Sequence, residues 1–247
     1  QEIPRAADQT HYPLSYAQQR LWLLDQLEGA NIAYSICGRY RLRGLLNKSA
    51  FQKAFLTVVA RHEIFRTCFK IIAGEPRQLI ADLEAHNFGV ELQDLRENAN
   101  KEEYAAAIAR EESPEPFDLS TGPLLRVRLL QLDDEEYVLL CTMHHIISDE
   151  WSMQVLVQEV STLYRAYITR QEPALPQLRI QYRDYVYWQR SIPAEHRSYW
   201  LSRFGEGVPL LDLPADRARP AVKSYVGKRL RSELPRKLVE GLAGLAR

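Results

Sequence analysis

The chain has 247 residues, with 32 Lys+Arg against 32 Asp+Glu, 46% hydrophobic and 26% charged positions, so an ordinary globular composition carries a formal net charge of zero. Such a balance offers a polyanion no long-range attraction, which sets nucleic-acid binding aside, and no apolar run approaches the roughly 18 residues of a membrane span. Three scattered cysteines, Cys37, Cys68 and Cys141, argue against a disulfide framework and for a reducing, cytoplasmic setting.

Gln1-Glu2-Ile3-Pro4-Arg5 carries neither an apolar signal segment nor an initiator Met, and it reads as a cut from a longer polypeptide. The spacing of Phe51, Ala54, Phe55, Val58 and Val59 predicts an amphipathic helix over 48–63. It runs into an alternating, β-rich stretch from Phe65 to Ile72. After the turn cluster Asp118 to Pro123, Leu125, Val127 and Leu129 alternate with Arg126 and Arg128, a strand with one buried and one wet face. Tyr137 to Met143 is apolar throughout, as a central strand covered on both faces requires.

A long helix follows, with Met153, Leu156, Val157, Val160, Leu163, Tyr164, Tyr167 and Ile168 on one stripe and Gln154, Gln158, Glu159, Ser161 and Arg165 opposite. Ser148 or Asp149 is its natural N-cap. Further helices are predicted over 182–191 and 195–204, an irregular Pro-rich stretch over 208–221, a strand over 222–233, and a helix opened by Pro235. The class is α/β with a mixed sheet flanked by helices.

Among catalytic patterns, a GxSxG elbow, a GxxxxGK[ST] phosphate loop and a GxGxxG fingerprint are all missing. His62-Glu63-Ile64-Phe65-Arg66 lacks the second histidine of a zinc-protease HExxH. The sharp feature is His144-His145-Ile146-Ile147-Ser148-Asp149 at a strand-to-helix junction, where a rigid scaffold presents an exposed loop. Successive residues of a strand point to opposite faces, so the two histidines cannot share one task, and a metal site is not expected. On spacing alone, one core histidine and one loop histidine remain an equally good reading.

That motif, followed by Trp151-Ser152, resembles the core motif of condensation domains of nonribosomal peptide synthetases, members of the chloramphenicol-acetyltransferase-like superfamily. Leu14-Ser15-Tyr16-Ala17-Gln18-Gln19-Arg20-Leu21-Trp22 resembles the family's first motif, in the form associated with an L-configured donor. Arg61 to Phe69 resembles the second, Tyr182 to Gln189 the fourth, and Leu213-Pro214-x-Asp216-x-x-Arg219-Pro220 a further common stretch.

The resemblance implies a chloramphenicol-acetyltransferase-like lobe that helps form a peptide bond between a donor aminoacyl or peptidyl thioester and an acceptor amine. No cofactor is bound directly, because both reactants ride on phosphopantetheine arms. The implied partners are donor and acceptor peptidyl carrier domains, an adenylation domain and a C-terminal lobe. Residues 1–13 are expected to be a linker from a preceding domain, 14–221 the N-terminal lobe, and 222–247 the truncated start of the crossover to the C-terminal lobe. The piece is therefore expected to be incomplete as an isolated enzyme.

The same resemblance assigns the catalytic set His145, His144 and Asp149, with His145 facing the channel and His144 acting mainly on stability. It implies a buried ion pair between Asp149 and Arg66 that holds the histidine loop. Gln18 and Arg20 are expected to support the channel, while Arg61, with His62 and Glu63, more readily forms helix-end salt bridges. Glu150 stands where the family has Gly, beside Trp151 and Ser152 as channel candidates. Two alternatives stay open: a noncatalytic recruitment domain of the same fold, which tends to lose the second histidine, and a starter acyltransferase.

Overall fold

A computed structural model describes residues 2–27, 33–83, 86–112, 115–192, 195–205, 207–208, 211, 214, 216–218 and 232–246. The chain divides into two compact units, residues 1–210 and 211–247.

The first unit is organised by strand β7 (Glu136–His144), flanked by the antiparallel neighbours β2 (Ser35–Arg43) and β6 (Leu125–Asp133), with β5 (Val90–Asp94) parallel to β6 at the edge. Both faces of β7 are covered, as its unbroken apolar run requires. Tyr137, Cys141 and Met143 join the larger core with α2 (Lys48–Arg61) and α4 (Glu150–Thr169). Val138 and Leu140 point the other way, into a smaller core with Ala105 and Ile108 of α3 (Lys101–Glu112). On β6 the expected alternation holds: Leu125, Val127 and Leu129 are buried, while Arg126 and Arg128 turn outward to Glu115 and Glu91.

A second sheet, in the order β1 (Tyr12–Pro13), β4 (Glu75–Ile80), β3 (Thr67–Ile72), stands beside α1 (Tyr16–Asp25). Strand β3 starts at Thr67 rather than Phe65, because Glu63–Arg66 first close a 3-10 turn after α2. Helix α5 (Tyr182–Ser191) and helix α6 (Glu195–Arg203) lie where the apolar spacing put them.

The expected linker is not one. Ala6 N–H donates to Asp184 Oδ1 at 2.8 Å, Asp8 pairs with Arg183 at 2.8 Å, and Tyr12 is 2% exposed with its ring edge-on to Tyr187. Residues 6–13 thus belong to the domain, tied down by partners on α5 more than 170 residues away. The long stripe of α4 also needs one correction: Val157 and Ile168 are exposed, while Glu159, written on the polar side, is buried.

In the second unit, helix α7 (Arg236–Leu245) begins after Pro235, and its Leu238, Leu242 and Leu245 are exposed. Most of the strand expected over 222–233 and most of the motif from Leu213 to Pro220 lie outside the described residues. The described positions Ser232 to Pro235 carry no strand.

Candidate active site

The histidine loop grows out of the end of the best-protected strand. His144 N–H donates to the Leu124 carbonyl at 3.0 Å, and His145 N–H donates to the Tyr34 carbonyl at 2.7 Å, so pairing continues one residue past β7. The chain then turns sharply, with Ile147 N–H on the His144 carbonyl at 3.1 Å. Ile146 and Ile147 are 3% and 5% exposed. Burying each contributes roughly 1.5–3 kcal/mol and pins the loop between the two polar ends of its motif.

His144 continues the side-chain alternation of Val138 and Leu140 into the interior, where it is fully buried and edge-on to Phe117. Its Nδ1 accepts from Ile146 N–H at 3.0 Å, so Nε2 carries the proton of the neutral ring. Nε2 has no partner among the described residues. Burial, and secondarily His145, pushes the His144 pKa down to about 4. The ring is therefore neutral at pH 7.

His145 is exposed and turned toward a cavity of about 480 Å³. Its Nδ1 lies 2.7 Å from the Ser148 carbonyl. A carbonyl only accepts, so Nδ1 is the donor, and Nε2 of the neutral ring is left as a proton acceptor. The two side chains lie on opposite sides of the strand end, His144 inward and His145 outward.

Asp149 does not meet Arg66. It is the N-cap of α4, with Oδ1 accepting from Ser152 N–H at 2.7 Å and from the Ser152 hydroxyl, while Ser152 Oγ accepts from Asp149 N–H at 3.3 Å. These Ser152 contacts hold the Asp149 carboxyl below its usual range. Arg66 donates instead to the carbonyls of Val59 (3.2 Å), Ala60 (3.5 Å) and Ala81. A guanidinium on the last carbonyls of a helix is already well placed against the macrodipole and needs no carboxylate. The ion pair is therefore replaced by two separate helix caps, one at the start of α4 and one at the end of α2.

Gln18 supports the loop from below. It completes a capping box with Ser15 at the start of α1, and its Nε2 reaches the Ile146 carbonyl (3.4 Å) and Gln78 Oε1 (3.2 Å). Arg20 lies exposed at the cavity wall. Trp151, 74% exposed, and Ser152 line the cavity too. Glu150 does not; it is the exposed first residue of α4, where the helix dipole favours an acid. The remaining wall is largely apolar, from Leu21, Val58, Ile64, Phe65, Val155 and Leu156.

Two groups stand out only in three dimensions. Glu159, buried in α4, receives Arg61 Nε on Oε1 (3.3 Å) and faces His62 Nε2 across 2.7 Å on Oε2. Tyr182, which lines the cavity, has its hydroxyl 3.0 Å from Ser15 Oγ, and burial pushes its pKa up; Glu159 itself is not among the lining residues. Arg61 thus forms the helix-end salt bridge expected of it. No group of three or more His, Cys, Asp or Glu suited to a metal ion occurs among the described residues.

The family model for the condensation domain matches residues 8–247. The chain is 38% identical over 249 residues to tyrocidine synthase 2 of Brevibacillus parabrevis, covering 99% of this chain and 7% of that protein. It is 40% identical over 251 residues to phosphinothricin tripeptide synthetase PhsC of Streptomyces viridochromogenes, covering 99% and 23%. Among solved structures, the X-domain from teicoplanin biosynthesis superposes with a TM-score of 0.76 at 29% identity, covering 90% of this chain and 49% of that one. The starter condensation domain of rhizomide synthetase RzmA gives 0.71 at 25% identity, covering 79% and 48%. The chain thus spans a small part of the synthetases it matches and about half of the solved domains. With the ordered motifs, the fold of the lobe and the family model in agreement, the chain belongs to the condensation-domain family of nonribosomal peptide synthetases.

Proposed function

We propose that this chain forms the histidine-bearing wall of a site where an acceptor aminoacyl amine attacks a donor aminoacyl or peptidyl thioester. The observation that carries the reading is His145, anchored through Nδ1 on the Ser148 carbonyl with Nε2 left to accept a proton in the cavity. The donor and acceptor arrive on phosphopantetheine arms of carrier domains, loaded by adenylation domains of the same synthetase.

Magnitudes rank what the site supplies. A free α-amino group has a pKa of about 7.7–8.0, so making the neutral nucleophile at pH 7 costs only about 1 kcal/mol. Aligning two tethered reactants is worth about 7–11 kcal/mol, against the 10²–10⁴-fold typical of a placed general base. Positioning dominates, and His145 acts on the proton that the nitrogen, positively charged in the tetrahedral intermediate, must lose. Asp149 contributes through the cap that fixes Ser148, and Ser148 fixes His145.

Likeness to the X-domain from teicoplanin biosynthesis, which is also known in a complex with OxyB, favours a second reading as a recruitment domain. The intact, cavity-facing His145 weighs against it. The experiment is to present donor- and acceptor-loaded carriers to the longest natural polypeptide containing residues 1–247 and to look for the new amide on the acceptor carrier by mass spectrometry. Amide formation is expected; unchanged loaded carriers, with the polypeptide folded, would overturn the reading.

A further inference from the structure

Gln78 of β4, in the second sheet, is 2% exposed, and Gln18 of α1 is 1% exposed. A buried amide is tolerated where its hydrogen-bonding groups are met. The Pro13 carbonyl can only accept, so its 2.7 Å contact turns Gln78 Nε2 toward β1 and leaves Oε1 for Gln18. Gln18 Nε2 donates to that oxygen at 3.2 Å and to the Ile146 carbonyl at 3.4 Å, while Gln18 Oε1 accepts from Ser15 N–H at 3.0 Å. Each amide is thus oriented by its neighbour, from the Pro13 carbonyl through to the histidine loop.

The far end of this relay is the residue next to His145. Ile146 has its N–H on His144 Nδ1 at 3.0 Å and its carbonyl on Gln18, and His145 N–H lies on the Tyr34 carbonyl at 2.7 Å. His144 and Tyr34 hold the loop from the strand end, whereas Gln18 holds it from α1. The 3.2 Å contact with Gln78 is shorter than the one with the loop, so Gln78 sets where the Gln18 amide sits. Without Gln78, one Gln18 N–H is buried with no acceptor, and the amide is free to turn away from Ile146.

We propose that Gln78 is a positioning residue for peptide-bond formation: from the second sheet, and through Gln18, it fixes Ile146 and with it the place of the His145 ring in the cavity. The inference rests on the peptide-forming reading above. Gln78 is not among the residues that line the cavity. Its loss should therefore slow the chemical step and leave saturation by the loaded carriers unchanged.

The test uses single-turnover amide formation by variants of the longest natural polypeptide containing residues 1–247. Gln78→Met keeps the bulk of the side chain and removes both of its bonds. Because a misplacement of about 1 Å can cost about 10²-fold, its rate on saturating carriers should fall by about ten- to a hundredfold. The carrier concentration at half-saturation should stay within about twofold of the parent. Gln78→Glu still offers Gln18 an oxygen in either protonation state, and its rate should stay within about threefold of the parent. In a His145→Ala background, Gln78→Met should add less than about twofold, since its effect runs through a ring already removed. Gln18→Met cuts the relay at its other end and should show the same dependence on His145, which keeps the test open where Gln78→Met does not fold. A folded Gln78→Met variant at the parent rate, equal losses with and without His145, or a Gln78→Glu variant as slow as Gln78→Met overturns the proposal. Absence of amide from the unsubstituted polypeptide is a different result and overturns the peptide-forming reading itself.

Discussion

Replacing His144 with Asn removes an imidazole that the fold keeps neutral, and the size of the effect should depend on pH in a way that can be worked out in advance. The Asn side-chain oxygen can still accept from Ile146 N–H, as Nδ1 does at 3.0 Å, so the turn is preserved. Folding lowers the pKa of His144 to about 4, through burial first and His145 second. The unfolded ring titrates at about 6.5. Between these values the unfolded chain holds a proton that the native chain refuses, so stability falls as pH drops from about 6.5 through about 4. Integrating that difference gives a loss of about 1 kcal/mol at pH 5.5 and about 2–3 kcal/mol at pH 4.5, with almost none at pH 7. The Asn variant lacks this contribution but pays a pH-independent cost for the space left beside Phe117. Urea denaturation of both proteins at these three pH values isolates it, because every other titrating group cancels in the difference. The stability gap should narrow by roughly 2 kcal/mol between pH 7 and 4.5. Parallel stability curves would refute the claim that His144 is held neutral by burial.

Asp149→Ala should cost about 0.5–2 kcal/mol of stability through the lost cap, whereas Asp149→Asn, an equally good capping residue, should stay within about 0.5 kcal/mol of the parent in urea denaturation. A double-mutant cycle between Asp149 and Arg66 should be additive within about 0.5 kcal/mol, and a coupling above about 1 kcal/mol would restore the ion pair. Glu159→Gln should destabilise by about 3 kcal/mol, because the Arg61 guanidinium is left largely buried without its carboxylate, and replacing Arg61 as well should recover part of that loss. Equal melting temperatures for Glu159→Gln and the parent would contradict the buried network.

What could be read from the sequence was what local periodicity encodes. Strand β7 announced itself because both faces are covered, and α4 because Met153, Leu156, Val160 and Leu163 recur at helical spacing. That His144 and His145 point to opposite sides followed from alternation at a strand end, whereas the choice of His145 as the cavity-facing one came from the resemblance. Strand β2 was missed although Arg39, Arg41 and Arg43 alternate with Tyr40 and Leu42 at the period of a half-wet strand; Arg41 is satisfied by Glu102 and Glu136, far away in sequence. Glu159 was misplaced too. It falls on the polar side of its helix, and only the end of α2, some 97 residues earlier, supplies the partners that make burial tolerable. The Asp149–Arg66 pair was expected from resemblance, although the sequence held a local answer, since Asp149-x-x-Ser152 is a capping signature. The N-terminal residues read as a linker because their contacts with α5 lie at the other end of the domain.

The most direct test of the account is the single-turnover rate of amide formation on pre-loaded carriers by the His145→Ala variant. Single turnover removes carrier release from the measurement and leaves proton transfer and alignment. The variant should melt like the parent, because His145 is exposed and, among the described residues, its ring hydrogen-bonds only to the Ser148 carbonyl of its own loop. Its rate should fall by about 10²–10⁴-fold, the range of a lost general base. A folded variant that forms amide at the parent rate would contradict the assignment of His145 as the group that takes the proton.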